Sequence, residues 1–144
     1  MGLAGCEGAA VRWPTVASDV GKSVLLRMLE MFATGEVEAA PETVADDYRD
    51  HEPGPAYVAI GVEGFRERVR SVRGDYVVLD VWPEGLVAER DQVTAQLHWQ
   101  GVLPSGETVD RITIDVVRVS DSLAVEHWAE PVSSRVTPAA GSDA

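Results

Sequence analysis

Disulfide chemistry is absent from this chain. Cys6 is the one cysteine among 144 residues, so no intramolecular bridge can form and a reducing cytoplasmic setting is expected. Long apolar runs are missing as well: none approaches the roughly 18 residues that a membrane-spanning helix needs. Met1 to Ala10 lacks the basic start and continuous apolar stretch of a secretory signal, so none is expected. Basic residues are scarce. Twelve Lys and Arg stand against 24 Asp and Glu, and the resulting charge of −12 repels nucleic acid and anionic membranes. Arg66, Arg68, Arg70 and Arg73 do gather, but acidic residues interleave with them as on a solvated helix face.

Signatures of cofactor and nucleophile chemistry are also missing. No Gly-x-Gly-x-x-Gly follows a strand, Val20-Gly21-Lys22-Ser23 lacks the earlier glycine of a phosphate loop, and no Gly-x-Ser-x-Gly elbow occurs. The three histidines come from separate elements, with no His-x-x-x-His or Cys pair, so neither a metal nor another cofactor is expected. No internal repeat is visible.

What is present is an α+β pattern in one domain. Residues 1–17 are rich in Gly and Ala without a sustained period, and the stretch from Ser133, with Pro138, Ala139, Ala140, Gly141 and Ser142, reads as a disordered tail. The folded domain is thus expected over 18–132. Ser18 and Asp19 can cap a helix carrying Leu25, Met28, Leu29 and Phe32 at helical spacing, which Gly35 ends. A weaker helix is expected from about Val37 to Ala45, with Pro41 near its first turn. A third runs from Val62 to about Val72, with Val62, Phe65, Val69 and Val72 on one side and Gly74 closing it. Beyond Gly74 the period changes to two. Tyr76–Trp82, Leu86–Glu89, Val93–Val102, Thr108–Val119 and Leu123–Trp128 read as strands, with turns at Pro104-Ser105-Gly106 and Asp121-Ser122. Helices followed by a run of antiparallel strands predict an α+β fold, not a βαβ one.

Asp115 is the most telling residue. It interrupts the apolar strand Ile112-Thr113-Ile114-Asp115-Val116-Val117, where an unpartnered carboxylate would cost several kcal/mol or retain its proton. Arg111 and Arg118 are candidate structural partners, although alternation puts Arg118 on the opposite face. His51 follows Tyr48-Arg49-Asp50 at the exit of the second helix, and His127 shares a strand face with Leu123 and Val125. These two are the better candidates for a pocket; His98, beside Thr94, Gln96 and Gln100, lies on a polar face. Trp82, Trp99 and Trp128 can fill a core or wall a pocket for a flat ligand.

In order and spacing, Leu25 to Phe32 with Gly35-Glu36, then Tyr48-Arg49-Asp50-His51, Gly61-Val62-Glu63-Gly64-Phe65, Pro104-Ser105-Gly106, Ile114 to Arg118 and Val125-Glu126-His127-Trp128 resemble the SnoaL-like polyketide cyclases. These form a branch of the nuclear transport factor 2-like superfamily, and the resemblance covers about Leu25 to Trp128. It implies a cone-shaped, curved antiparallel sheet packed on N-terminal helices and enclosing an apolar pocket, usually a homodimer, and a small apolar organic substrate turned over without a cofactor. It also implies that Asp115 is the acid/base of an aldol ring closure and His51 the pocket histidine. In such a mechanism His51 or His127 donates a hydrogen bond to the substrate oxygen, with Tyr48 a further candidate for that role. Trp82, His98, Trp99, Phe65 and Trp128 are then candidate substrate contacts. The segment between Trp99 and Pro104 is shorter than the family's usual loop, where a second catalytic histidine often sits. Water addition to an epoxide or lactone, and ligand binding without catalysis, are the alternative functions.

Overall fold

The computed structural model describes residues 15–51 and 58–141. Helix α1, Thr15–Thr34, starts a turn ahead of the Ser18-Asp19 pair and places Leu25, Met28 and Leu29 in the core. It stops where Gly35 takes a φ of +81° and donates its N–H to the Met31 carbonyl at 2.8 Å. Arg73 then donates to the Phe32 and Ala33 carbonyls at 2.7 and 2.8 Å, satisfying helix-end acceptors and tying the next helix to this one. That helix, α2, spans Gly61–Gly74 and buries Phe65 and Val69 at helical spacing.

The helix expected over Val37–Ala45 does not form. A single 3-10 turn, Ala40–Glu42, is followed at once by strand β1, Val44–Asp50. The remaining strands are β2 (Ala59–Ile60), β3 (Val78–Glu89), β4 (Gln92–Val102), β5 (Thr108–Ser120) and β6 (Leu123–Thr137). They form one six-stranded sheet in the order β2-β1-β6-β5-β4-β3. The sheet is curved, unclosed and mixed, with both helices packed on it. It is not wholly antiparallel as expected, because β1 runs parallel to β6, bringing Asp50 opposite His127. The two segments read as separate strands before Val93 are one strand, β3, with a register shift between Pro83 and Gly85. Two long hairpins follow, turning at Gly106 (φ +90°) and at Asp121 and Ser122 (φ +52° and +66°).

The outer ends of the domain differ from expectation. Strand β6 continues past Ser133, pairing Ser134 with Arg111 and Thr137 with Thr108, so the first part of the expected tail belongs to the sheet. Residues 142–144, and residues 1–14 of the expected N-terminal segment, lie outside the described residues. A second irregularity matters more. Arg118 pairs with Glu126 but Val119 pairs with Ala124, which leaves Val125 as a bulge in β6. The extra residue resets the alternation, so fully buried Ala124 and, three residues on, His127 both face inward. The expectation that His127 shares a simple alternating face with Leu123 and Val125 fails for this reason.

Candidate active site

The concave side of the sheet and α1 line a cavity that opens to solvent. Leu25, Met28, Leu29 and Phe32 of α1 form one wall, and Leu97 and Trp99 of β4 face them. The aromatic packing is edge-to-face. Phe32 meets Trp99 and Phe65 at centroid distances of 5.6 and 5.8 Å, and Phe65 meets Tyr48 at 5.9 Å. Phe65 is therefore a buttress behind the wall and not a lining residue. Gly101 has a definite purpose here: a β-carbon at that position would overlap the Tyr76 ring, which also lines the cavity.

A chain of hydrogen bonds crosses the cavity floor. Trp99 Nε1 donates to Thr113 Oγ1 at 3.0 Å, and Thr113 Oγ1 donates to Asp115 Oδ1 at 2.6 Å. His127 Nε2 donates to Asp115 Oδ2 at 2.6 Å, and its Nδ1 donates to Asp50 Oδ1 at 2.8 Å. Tyr48 Oη closes the series by donating to Asp50 Oδ2 at 3.3 Å. Asp50 and Asp115 are 2% and 4% exposed. Both nitrogens of His127 therefore face carboxylates, which only the doubly protonated imidazolium can satisfy. Burial alone disfavours that charge, but the hydrogen bonds and charges of Asp115 and Asp50 outweigh it and raise the His127 pKa from 6.5 to about 10. Burial, and then the adjacent Asp50, hold the Tyr48 phenol well above its usual 10, so it remains a donor.

Of the residues singled out from the sequence, Asp115, His127, Tyr48 and Trp99 meet at this cavity. The others do not. His51 lies on the opposite side of β1 from Asp50, bonded to Glu126 Oε2 at 3.0 Å and stacked on Trp128 at 5.2 Å. Arg118 donates to the same Glu126 at 2.8 Å, so the Arg118–Asp115 pairing is ruled out. Trp82 stacks on His98 at 4.5 Å, and His98 bonds Glu84 at 3.0 Å, again away from the cavity. Sequence reasoning does not single out Asp50, Thr113 or Tyr76, reads Arg68 only as part of a solvated helix face, and offers Arg111 only as a structural partner for Asp115; all five line the cavity. The lining holds two guanidinium groups, Arg68 and Arg111, beside its carboxylates. No cluster of His, Cys, Asp and Glu fit to hold a metal occurs among the described residues. No described helix is long and apolar enough to cross a membrane.

This combination of fold and cavity defines a nuclear transport factor 2-like protein. The family model for SnoaL-like polyketide cyclase matches residues 22–131, and the chain belongs to that family. Several solved structures share the fold. A candidate polyketide cyclase from Bacillus cereus ATCC 10987 is 26% identical over 75% of this chain and 71% of that one, with a TM-score of 0.67. IdmH, a candidate polyketide cyclase from Streptomyces antibioticus, is 20% identical over 77% and 91%, with a TM-score of 0.69. An LEH-like epoxide hydrolase from M. tuberculosis is 13% identical over 81% and 85%, with a TM-score of 0.68. No curated protein matches the chain.

Proposed function

We propose that the protein is a cofactor-independent catalyst of polyketide-type ring closure, with Asp115 as its acid/base. One observation carries the reading: Asp115 is a carboxylate at the base of an apolar cavity, with one oxygen held by Thr113 and the other by His127. Each carboxylate oxygen keeps a further lone pair for a substrate proton. Asp115 removes a proton from a carbon next to a carbonyl, and the resulting enolate carbon attacks a second carbonyl to form the ring bond. The proton then passes from Asp115 to the new alkoxide, so the carboxylate is regenerated. His127 serves this step as a positioning residue. Both its N–H groups are occupied, so in this reading it fixes Asp115 and contributes positive charge near the developing oxyanion instead of donating to it. The flat face of Trp99 and the α1 wall accommodate the apolar rings of the substrate.

The test is turnover of linear aromatic polyketide mimics by the wild type and Asp115→Asn. Loss of an acid/base group lowers the rate by about 100- to 10,000-fold; full turnover by the variant would refute the mechanism. A second reading, water addition to an epoxide or lactone, draws support from the two carboxyl groups that share one imidazolium, since one could activate water while the other handles a proton. The epoxide hydrolase among the structural neighbours has the same fold. Reaction in ¹⁸O-labelled water separates the readings, because water addition places label in the product and ring closure does not. A homodimer and a cytoplasmic setting belong to the same proposal, and sedimentation velocity tests the first.

A further inference from the structure

Every carboxylate lining the cavity already has a partner, but one of its cations has none among the described residues. Arg111 is half-buried on β5 and lines the cavity, and its side chain makes no hydrogen bond, ion pair or ring contact with any described residue. Its cross-strand neighbours are Trp99 and Ser134, neither of which carries charge. The carboxylate next to it in sequence, Asp110, accepts from Gln100 on the other face of the strand. Asp115 is engaged by Thr113 and His127, and Asp50 by His127 and Tyr48. A guanidinium facing an apolar cavity has lost part of its hydration, and it recovers that loss when an anion enters.

We propose that Arg111 is an anion subsite that binds a carboxylate of the substrate, at the Trp99 end of the cavity. The inference rests on the cavity being a substrate pocket and adds the substrate's class: an apolar ring system bearing a carboxylate. Arg111 lies four residues from Asp115 on the same strand, so their Cα atoms are about 13 Å apart. The subsite therefore grips a group distinct from the reacting carbon, and the ring system spans the interval. Guanidinium is suited to the task because its planar fork can give two parallel hydrogen bonds to one carboxylate.

The test compares two probes of one shape, anthraquinone-2-carboxylate and anthraquinone-2-carboxamide, by calorimetric titration of the full chain at low and high salt. The wild type is expected to bind the carboxylate about 10- to 100-fold more tightly than the amide, with the preference shrinking as salt rises. Arg111→Gln should bind both probes equally, with amide affinity unchanged, and Arg111→Lys should keep part of the preference. Asp115→Asn should keep all of it, so loss of turnover and loss of the subsite are read separately. Equal binding of the two probes by the wild type, no binding of the carboxylate at its solubility limit, or an undiminished preference in Arg111→Gln would each overturn the proposal. Were Arg111→Gln unable to fold, the wild-type preference and its salt dependence decide the matter.

Discussion

Two histidines in this molecule stand between pairs of carboxylates, and the two faces of the sheet make different groups of them. On the concave face His127 reaches Asp115 and Asp50 at 2.6 and 2.8 Å, with side chains 14%, 5% and 3% exposed. On the opposite face His98 reaches Glu84 and Asp110 at 3.0 and 3.6 Å, with side chains 24%, 39% and 21% exposed. Each has an aromatic ring at hand: Trp82 stacks on His98, and Trp99 reaches the inner chain through Thr113. The composition is therefore nearly the same. Water is what differs. On the wet face the charges are screened by solvent; in the cavity they are shielded from it and act on one another more strongly. Between two acids in a cavity that excludes solvent, His127 becomes a fixed charge.

The comparison breaks most sharply at activity. Asp115→Asn should reduce turnover by about 100- to 10,000-fold. The equivalent change on the other face, Asp110→Asn, should leave the rate within about twofold, because it lies outside the cavity. Steady-state rates of the two variants side by side decide whether the inner constellation alone is catalytic.

That contrast was partly legible in the sequence. A carboxylate inside an apolar strand marks itself, and Asp115 did. The helix with Leu25, Met28, Leu29 and Phe32 and the two hairpin turns were legible too, because spacing and turn chemistry act locally. Asp50 is not legible, because its segment follows an expected helix, where alternation gives no guidance. Once Val44–Asp50 is a strand, Tyr48 and Asp50 must face one way and Arg49 and His51 the other. What makes it a strand is pairing with β6, more than 70 residues away, and no local propensity records such a partner. The inward turn of His127 likewise depends on the bulge at Val125, which only the register of two strands reveals.

Stability gives the next contrast. His127→Gln removes the cation from between two buried carboxylates and leaves them facing each other. A loss of about 3–5 kcal/mol is expected in urea unfolding. Adding Asp50→Asn to that variant should recover part of the loss, since it removes one of the opposed charges. An additive or larger loss in the double variant would show that the three groups do not share one electrostatic unit.

The pH dependence should reproduce the contrast more gently. His127 has a folded pKa raised to about 10 from 6.5, so it binds a proton more tightly in the native state. Its contribution is complete below about 6.5 and is lost as pH rises through about 10. Between those values stability should fall by up to about 1.4 kcal/mol per pH unit. Tyr48, whose phenol is also held up by burial, adds to the loss only above its usual 10. Urea midpoints measured from pH 6 to 10 should slope downward in the wild type and lie nearly flat in His127→Gln. Parallel slopes would mean that His127 is not the group that titrates.

The smallest effect is expected from His98→Gln, and it serves as the control for all the others. Glutamine can still donate to Glu84 from a similar position, and the stack on Trp82 loses only one exposed face. The His98 bond holds the Glu84 carboxyl below its ordinary range, but Glu84 is open to water, which replaces a lost donor at little cost. A shift in Tm of less than about 2 °C is therefore expected. A fall as large as that of His127→Gln would mean that the outer face is shielded from solvent in the working protein. A second copy of the chain covering that face is the simplest way to shield it, and loss of the dimer in His98→Gln by sedimentation velocity would establish that cause.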